Sequence, residues 1–444
     1  MASKNLLLVI GGVAAGLSAA SRARRIDPHL QITVLEKGPH VSYSACGLPY
    51  FIGGHVRSAD ELVVYTAEYF REKRGIEVLT GHEAVEIETG RRRVRAVVRE
   101  TQQEKVFHFD RLVLATGARP DWPSIPGVDL PHVFEANTLA GALKVRDFVE
   151  RAVPRRAAVL GGGYIGLETA EALRERGLEV TVLQRLAEIL EGFDGDVTQR
   201  VEEAMTRHGV LLLKGAAALA VNEREVVSEA GRHPADLVIV STGLLPNVEL
   251  AESAGVALGH AGAIAVDDRM QTNLSGFYAA GDCAETVQLV TGRPAWIPLG
   301  TTANKQGRVA GENAAGGHAR FPGVVGTMVT KVFGLECART GLSESQARDF
   351  RISTATVEHL TRAGYLGGRK ILVKLVAERG SGRLLGAQMV GEEGVGKRID
   401  VLAAALHARM TAEHVSQLDL SYNPPVAPVW EAVLLAAQQL MKKI

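Results

Sequence analysis

The sequence predicts an α/β chain with two nested units of one design and a C-terminal α+β segment, on three observations. A strand, a glycine-rich turn and a helix occur twice, starting at Leu6 and at Ala157. Each occurrence is followed later by a strand ending in Thr-Gly, and a Gly-Asp pair comes after both. From Phe321 onward short apolar runs replace this pattern, and they read as strands of an antiparallel sheet.

In the first unit Leu6–Ile10 leads into Gly11-Gly-Val-Ala-Ala-Gly16, then a helix to Arg25, then a strand Gln31–Leu35 ending at Glu36. In the second, Ala157–Leu160 leads into Gly161-Gly-Gly-Tyr-Ile-Gly166, a helix to Arg176 and a strand Glu179–Leu183. The second turn has the full G-x-G-x-x-G spacing at Gly161, Gly163 and Gly166. The first keeps Gly11, Gly12 and Gly16 but has Val13 in the middle position. Glycines at these positions let a pyrophosphate approach the backbone, and the helix that follows aims its free N–H groups and positive dipole end at it. Two such turns, each between a strand and a helix, predict two nested Rossmann-like (three-layer ββα) nucleotide-binding domains.

The residue ending each second strand reads the adenosine ribose. Glu36 lies 20 residues after Gly16 and is a carboxylate, which suits ribose hydroxyls and so flavin adenine dinucleotide (FAD). The matching position in the second unit is Gln184, followed by Arg185. A neutral side chain does not repel a 2′-phosphate and an arginine can attract one, so this unit suits NADH or NADPH. The strand ending at Ala115-Thr116-Gly117, the strand ending at Thr242-Gly243 and the Gly281-Asp282 pair complete the two units. Asp282, at a strand's end beside a helix start, suits a chain of hydroxyls. The expected domains are 1–117 with 247–320, 118–246, and 321–444.

In the last domain Thr327–Phe333, Ile371–Val376 and Leu384–Val390 read as strands, followed by helices near Ile399–Met410 and Val429–Ile444. Val433, Leu434, Ala437, Leu440 and Met441 share one face of the final helix, which predicts packing in a core or a dimer.

Composition excludes several classes. The 50 basic and 50 acidic side chains cancel without long single-sign runs, which argues against nucleic acid as a partner. No apolar stretch approaches the roughly 18 residues that cross a bilayer. The apolar start reads as a strand rather than a signal peptide, because cleavage would remove the first turn; a cytoplasmic protein is expected. Three cysteines make no disulfide framework, and no spacing suggests a metal site. Cys283 and Cys337 read as inert buried thiols. Cys46 differs: it follows the first unit and precedes Gly47-Leu48-Pro49, a helix start that would favour the nucleophilic thiolate.

Over essentially its whole length the sequence resembles the FAD- and NAD(P)-dependent disulfide oxidoreductases. Ser42-Tyr-Ser-Ala-Cys46-Gly-Leu-Pro-Tyr50 resembles their single-cysteine branch. That branch holds coenzyme A (CoA) disulfide reductases, NADH oxidases and peroxidases, and NAD(P)H-dependent polysulfide or persulfide reductases. The two-cysteine relatives need CxxxxC, but the residue five beyond Cys46 is Phe51. The resting oxidised state would therefore be a mixed disulfide with a small thiol, or a sulfenic acid.

The resemblance implies FAD contacts from Gly11, Gly12, Ala14, Gly16, Glu36, Lys37 and Val85, from Ala115, Thr116 and Gly117, and from Gly281, Asp282 and Tyr422. It implies NAD(P)H contacts from Gly161, Gly163, Tyr164, Ile165 and Gly166, and from Gln184, Arg185 and Gly243. CoA would meet Ser18, Arg22, Arg25, Ser42, Asn304 and Lys305. Cys46, Tyr365 and Tyr422 would be catalytic, with both tyrosines supplied by the second subunit of a homodimer through a C-terminal dimerisation domain.

Some positions depart from the family pattern. Ala14 stands where the oxidases and peroxidases carry a histidine, which speaks against their chemistry. Ala45, Val426, Glu431-Ala432 and Asn304-Lys305 replace an asparagine, an aromatic, an Asp-Pro and a His-Arg-like pair. Each loss removes a contact worth about 1 kcal/mol. The expected activity passes electrons from NAD(P)H through FAD and Cys46 to CoA disulfide or CoA persulfide, with small thiols and disulfides as partners. The alternatives are a polysulfide or persulfide reductase, an NADH oxidase, or a non-enzymatic thiol redox sensor.

Overall fold

Two five-stranded parallel sheets carry the architecture, one in each of two compact units of the computed structural model, which describes residues 5–444. The first unit comprises the chain up to Gly47, Ser58–Arg119 and Leu244–Val324. Its sheet runs in the order Phe277–Ala279, Arg111–Leu114, Leu6–Ile10, Gln31–Leu35, Glu77–Leu79, all parallel. Alternate residues of Leu6–Ile10 face opposite ways. Leu7 and Val9 pack with Ala15, Ala19, Ala303 and Ala310 from the helices Ala14–Ile26 and Gly300–Ala314. Leu8 and Ile10 pack with Ile87, Val94 and Ala96 from an antiparallel three-stranded meander. Burial on both faces is why this strand is apolar throughout rather than alternating.

The second unit comprises Leu48–Arg57, Pro120–Gly243 and Val325–Ile444. Its parallel sheet runs Val210–Lys214, Glu179–Gln184, Arg156–Leu160, Leu237–Val240, Val133–Glu135, and it too has a three-stranded meander. The C-terminal segment adds a five-stranded antiparallel sheet in the order Met328–Val332, Leu335–Gly341, Leu384–Gly391, Lys370–Glu378, Ile352–Leu360.

Two of those strands, Leu335–Gly341 and Ile352–Leu360, were not expected from sequence. Both mix Glu, Arg, Thr or His with apolar residues, because long-range pairing rather than apolar pattern makes them strands. The helices also differ at their starts. The helix expected near Ile399 begins at Val395, where the Glu336 carboxylate accepts from the N–H groups of Val395 (2.7 Å) and Gly396 (3.1 Å). The last helix begins at Ala432 rather than Val429. Glu431 accepts from the Ala432 N–H at 3.1 Å while Arg398 grips its carboxylate at 2.6–3.0 Å.

Within the second unit one lysine ties this sheet to the segment that follows the strand Glu179–Gln184. Lys374, 5% exposed, reaches Asp194 (3.2 Å), Asp196 (2.7 Å) and Glu344 (3.0 Å). Burial lowers the pKa of its ammonium, but the bonds to Asp196 and Glu344 and the charge of Asp194 outweigh it and hold the pKa above 10.5. Asp194 also exchanges hydrogen bonds with Gln388 and stands at the start of the helix Gly195–Arg207.

Replacing Lys374→Met should cost about 3–5 kcal/mol, because three carboxylates are left facing one another without their cation. The raised pKa stabilises the fold below the ordinary lysine value and loses that effect as pH rises through the elevated one. Thermal unfolding should therefore show a large deficit near pH 7 that narrows in strong alkali. A variant melting within a degree of the parent at pH 7 would show that the cluster holds nothing.

Candidate active site

The two glycine turns are the same structure built twice. Gly11 and Gly161 have φ of +108° and +111°, and a Cβ on either would lie 2.0 or 2.1 Å from the carbonyl oxygen of Ala115 or Ser241. Only glycine fits so close to the neighbouring strand. The next N–H in each turn bonds the side chain ending the second strand: Gly12 to Glu36 Oε2 (2.7 Å), Gly162 to Gln184 Oε1 (3.0 Å). The next carbonyl in each turn accepts from a residue of positive φ in the following loop: Gly12 from Ser42 (3.0 Å, φ +49°), Gly162 from Leu190 (2.8 Å, φ +51°).

In the first unit the donor set fits FAD. Glu36 also accepts from the Gly38 N–H (2.7 Å), which fixes its carboxylate beside the turn with lone pairs left for ribose hydroxyls. The Asp282 carboxylate has no hydrogen-bond partner among the described residues, and burial raises its pKa. A half-buried carboxylate without a donor is the cradle a hydroxyl chain would fill. Gln306, fully buried and not singled out from sequence, holds this turn. Its Oε1 accepts from the Gly281 N–H (2.9 Å) and its Nε2 donates to the Glu285 carbonyl (2.9 Å). Thr116 and Gly117 are locked to Asn247 through bonds of 2.6–2.9 Å. Gly16 and Ala14 lie in the first helix, Lys37 is exposed, and Val85 sits exposed at a bulge of the meander.

In the second unit the turn fits a dinucleotide. A Cβ on Gly163 would meet nothing within 4 Å, so the chain itself gives no reason for glycine there, while a phosphate against the backbone does. Ile165 is half-buried in the first turn of the helix, and Gly243, at φ +139°, lies in the link between the strands Leu237–Val240 and Leu244–Pro246. Tyr164 points its hydroxyl at Met328 Sδ, which also receives Arg339 Nε at 3.1 Å; burial raises the phenol's pKa. Gln184 is 7% exposed, whereas Arg185 beside it is exposed.

Cys46 is exposed in a short 3₁₀ turn, Ala45–Gly47, followed by the helix Leu48–Gly53. Its loop is pinned through Ser42 to the Gly12 carbonyl and to Val64, whose N–H donates to the Ser42 carbonyl at 2.8 Å. The other cysteines are buried, which raises the pKa of Cys283 and pushes Cys337 up to about 12. Neither offers a thiolate near neutral pH.

Of the residues expected at CoA, Ser18, Arg22 and Arg25 lie on the helix Ala14–Ile26 and Asn304 and Lys305 on the helix Gly300–Ala314, while Ser42 lies in the Cys46 loop. A Cβ on Gly311 would lie 2.0 Å from the Ala19 carbonyl, so glycine lets these helices touch. Ser18 Oγ then donates to Asn304 Oδ1 at 2.7 Å. Arg22 is not a bare cation: Glu312, which no sequence signal marks, holds it at 2.5 and 2.7 Å. Arg25 and Lys305 are exposed without an ion-pair partner among the described residues. In the second unit Tyr365 and Tyr422 are 81% and 55% exposed on segments joined by the Ala363 N–H to the Pro424 carbonyl (3.2 Å). Leu366, Val426, Val429 and Trp430 are exposed on the same segments.

Among the described residues no group of three or more His, Cys, Asp or Glu could hold a metal ion, and no helix is long and apolar enough to cross a membrane. The NAD(P)H coenzyme A polysulfide/persulfide reductase of Pyrococcus horikoshii is 42% identical over 444 residues, 98% of each chain. The coenzyme A disulfide reductase of Staphylococcus haemolyticus is 31% identical over 422 residues, 94% of this chain and 95% of its own. The solved structure of a NAD-dependent persulfide reductase from A. fulgidus superposes with a TM-score of 0.96 at 41% identity, covering 99% of this chain and 83% of its own. Residues 6–307 match the family model for pyridine nucleotide-disulphide oxidoreductases, and 327–433 match that family's dimerisation domain. With its two dinucleotide turns and its lone exposed cysteine, the chain belongs to the pyridine nucleotide-disulphide oxidoreductases, whose cofactors are FAD and NAD(P)H.

Proposed function

We propose that this protein reduces the disulfide or persulfide of coenzyme A with electrons from NAD(P)H, using Cys46 as its only redox-active sulfur. The observation that carries this reading is one exposed cysteine on a loop hung from the flavin turn, with the other two thiols buried and held protonated. The names of the similar proteins point the same way.

FAD, when bound, takes a hydride from NAD(P)H and supplies two electrons to sulfur. The first unit would hold it through Glu36, Asp282 and the turn at Gly11–Gly16, and the second would hold the nicotinamide dinucleotide on the turn at Gly161–Gly166. Cys46 as thiolate attacks one sulfur of the substrate disulfide. The substrate's S–S bond breaks, half of it stays on Cys46 as a mixed disulfide, and the other half leaves as a thiolate that takes up a proton. Two electrons then cleave the mixed disulfide and restore the Cys46 thiolate with release of the second thiol. A single-sulfur site of this kind needs no resolving cysteine, which matches Phe51 at the position where one would stand.

Ser18, Ser42, Asn304, Arg25 and Lys305 would receive the CoA moiety, while Arg22 must exchange Glu312 for a phosphate. Tyr365 and Tyr422, supplied by a second copy of the chain, would donate hydrogen bonds to the leaving thiolate. The exposed apolar side chains around them and the match to a dimerisation domain support a homodimer. Three cysteines without a disulfide suit a reducing, cytoplasmic setting.

Cys46→Ser should keep its yellow flavin and its reduction by NAD(P)H but lose turnover of CoA disulfide. If it turns over at the parent rate, electrons leave by another route and the proposal fails. Reducing the purified enzyme should also release a thiol, and mass spectrometry should identify it as CoA; a different thiol would move the substrate class.

For the tyrosines, Tyr365→Phe and Tyr422→Phe should each slow disulfide turnover about tenfold, the worth of one hydrogen bond to a charged group. Flavin reduction in the stopped flow should be unchanged. Equal slowing of both half-reactions would make the two residues packing elements of the interface.

A further inference from the structure

We propose that Arg362 is the positioning residue for Tyr365, closing the turn that carries it with Glu393 as its anchor. This rests on the reading that Tyr365 assists the leaving thiolate, and it names what holds the phenol in place.

Tyr365 does not hold itself. Its side chain is 81% exposed and has no hydrogen-bond partner among the described residues, so the backbone beneath sets its direction. That backbone is a 3₁₀ turn, Gly364–Leu366, ending at Gly367 in the left-handed region with φ +76°. The N–H groups of Leu366 and Gly367 donate to the carbonyls of Ala363 (2.9 Å) and Gly364 (3.0 Å). A single turn of this kind is weakly held by its own bonds. The carbonyls at its far end need a donor from elsewhere.

Arg362 supplies it. Nε donates to the Leu366 carbonyl at 3.2 Å and Nη2 to the Gly367 carbonyl at 3.4 Å, while Nη1 reaches Glu393 Oε2 at 3.1 Å. Glu393 is fixed in turn, because its second oxygen accepts from Thr361 Oγ1 at 2.6 Å. Thr361 pairs with Arg369 across the base of the loop: its N–H donates to the Arg369 carbonyl (2.8 Å), and its Oγ1 accepts from the Arg369 N–H (3.0 Å). Arg398 donates to the Thr361 carbonyl at 2.7 Å. The chain folds back so closely that a Cβ on Gly368 would lie 2.2 Å from the Arg362 carbonyl oxygen. The loop thus has a fixed base at Thr361 and one guanidinium spanning it.

The Arg362–Glu393 ion pair is 31% and 34% exposed, and such a pair adds little to stability. Two of the three bonds go instead to carbonyls of the tyrosine turn. A planar fork reaches both while keeping its anchor, which the ammonium of a lysine does not. The arrangement places Tyr365 rather than holding the fold together.

The test uses the FAD-loaded enzyme and the variants Arg362→Met, Arg362→Lys, Tyr365→Phe and the double variant Arg362→Met/Tyr365→Phe. Arg362→Met should lower kcat for CoA disulfide by up to about tenfold and no more than Tyr365→Phe does, since it acts only through that phenol. Arg362→Lys should recover little. Flavin reduction by NAD(P)H and the melting temperature should stay at the parent values, while amide hydrogen exchange over residues 361–369 should quicken in Arg362→Met. In the double variant the arginine change should add nothing to the effect of Tyr365→Phe, whereas a residue that merely supported the fold would slow both backgrounds alike. Multiplied slowing in the double variant, parent-rate turnover in Arg362→Met, or unchanged amide exchange overturns the proposal and leaves the role of Tyr365 standing. If Tyr365→Phe itself turns over at the parent rate, the reading of the tyrosine falls and takes this inference with it.

Discussion

The N–H of the second glycine in each turn is bonded to the side chain that ends the next strand, and much of the molecule depends on that bond. It exists because the first glycine must pass within contact of the neighbouring strand's carbonyl, Ala115 in one unit and Ser241 in the other, which turns the following N–H outward. The side chain that meets it fixes the spacing of the second strand from the turn. The carbonyl of the same glycine anchors the next loop, through Ser42 or Leu190. One glycine thus joins the turn, the residue that ends the second strand and, in the first unit, the loop that carries Cys46.

The chemistry of the three cysteines follows from where the fold puts them. Cys283 is surrounded by carbonyls, with its sulfur 3.5 Å from the Leu114 oxygen and 3.4 Å from that of Ala280, and burial makes its thiolate costly. Cys337 lies within an interior strand of the C-terminal sheet, where burial pushes its thiol up to about 12. Cys46 alone is exposed, on a short turn held at both sides by backbone bonds. A nucleophile on a mobile surface loop would have to be positioned by its substrate, whereas here the turn does so in advance.

The sequence made the nucleotide units legible because their elements are local. The apolar strands, the glycine spacing and the helices all lie within about one βαβ unit, and backbone sterics alone dictate them. The C-terminal sheet was less legible. Leu335–Gly341 and Ile352–Leu360 carry Glu, Arg, Thr and His on faces that only pairing with distant strands turns into sheet. The start of the last helix was misplaced for a related reason: Glu431 caps it only because Arg398, 33 residues earlier, holds the carboxylate in place.

By itself the sequence determined that two dinucleotide turns precede an α+β domain, that Glu36 and Gln184 occupy matching positions, and that Cys46 has no sulfur partner at the expected spacing. Those properties depend on residue type and on neighbours a few positions away. Only the tertiary structure decided which polar groups are already occupied. Arg22 meets Glu312 across 290 residues and Lys374 meets Asp196 across 178. The Gln184 amide and Glu188 are likewise engaged, by bonds that no spacing rule encodes. A side chain's availability to a ligand is set by the charges brought beside it when the chain closes, and no local pattern in the sequence specifies those neighbours.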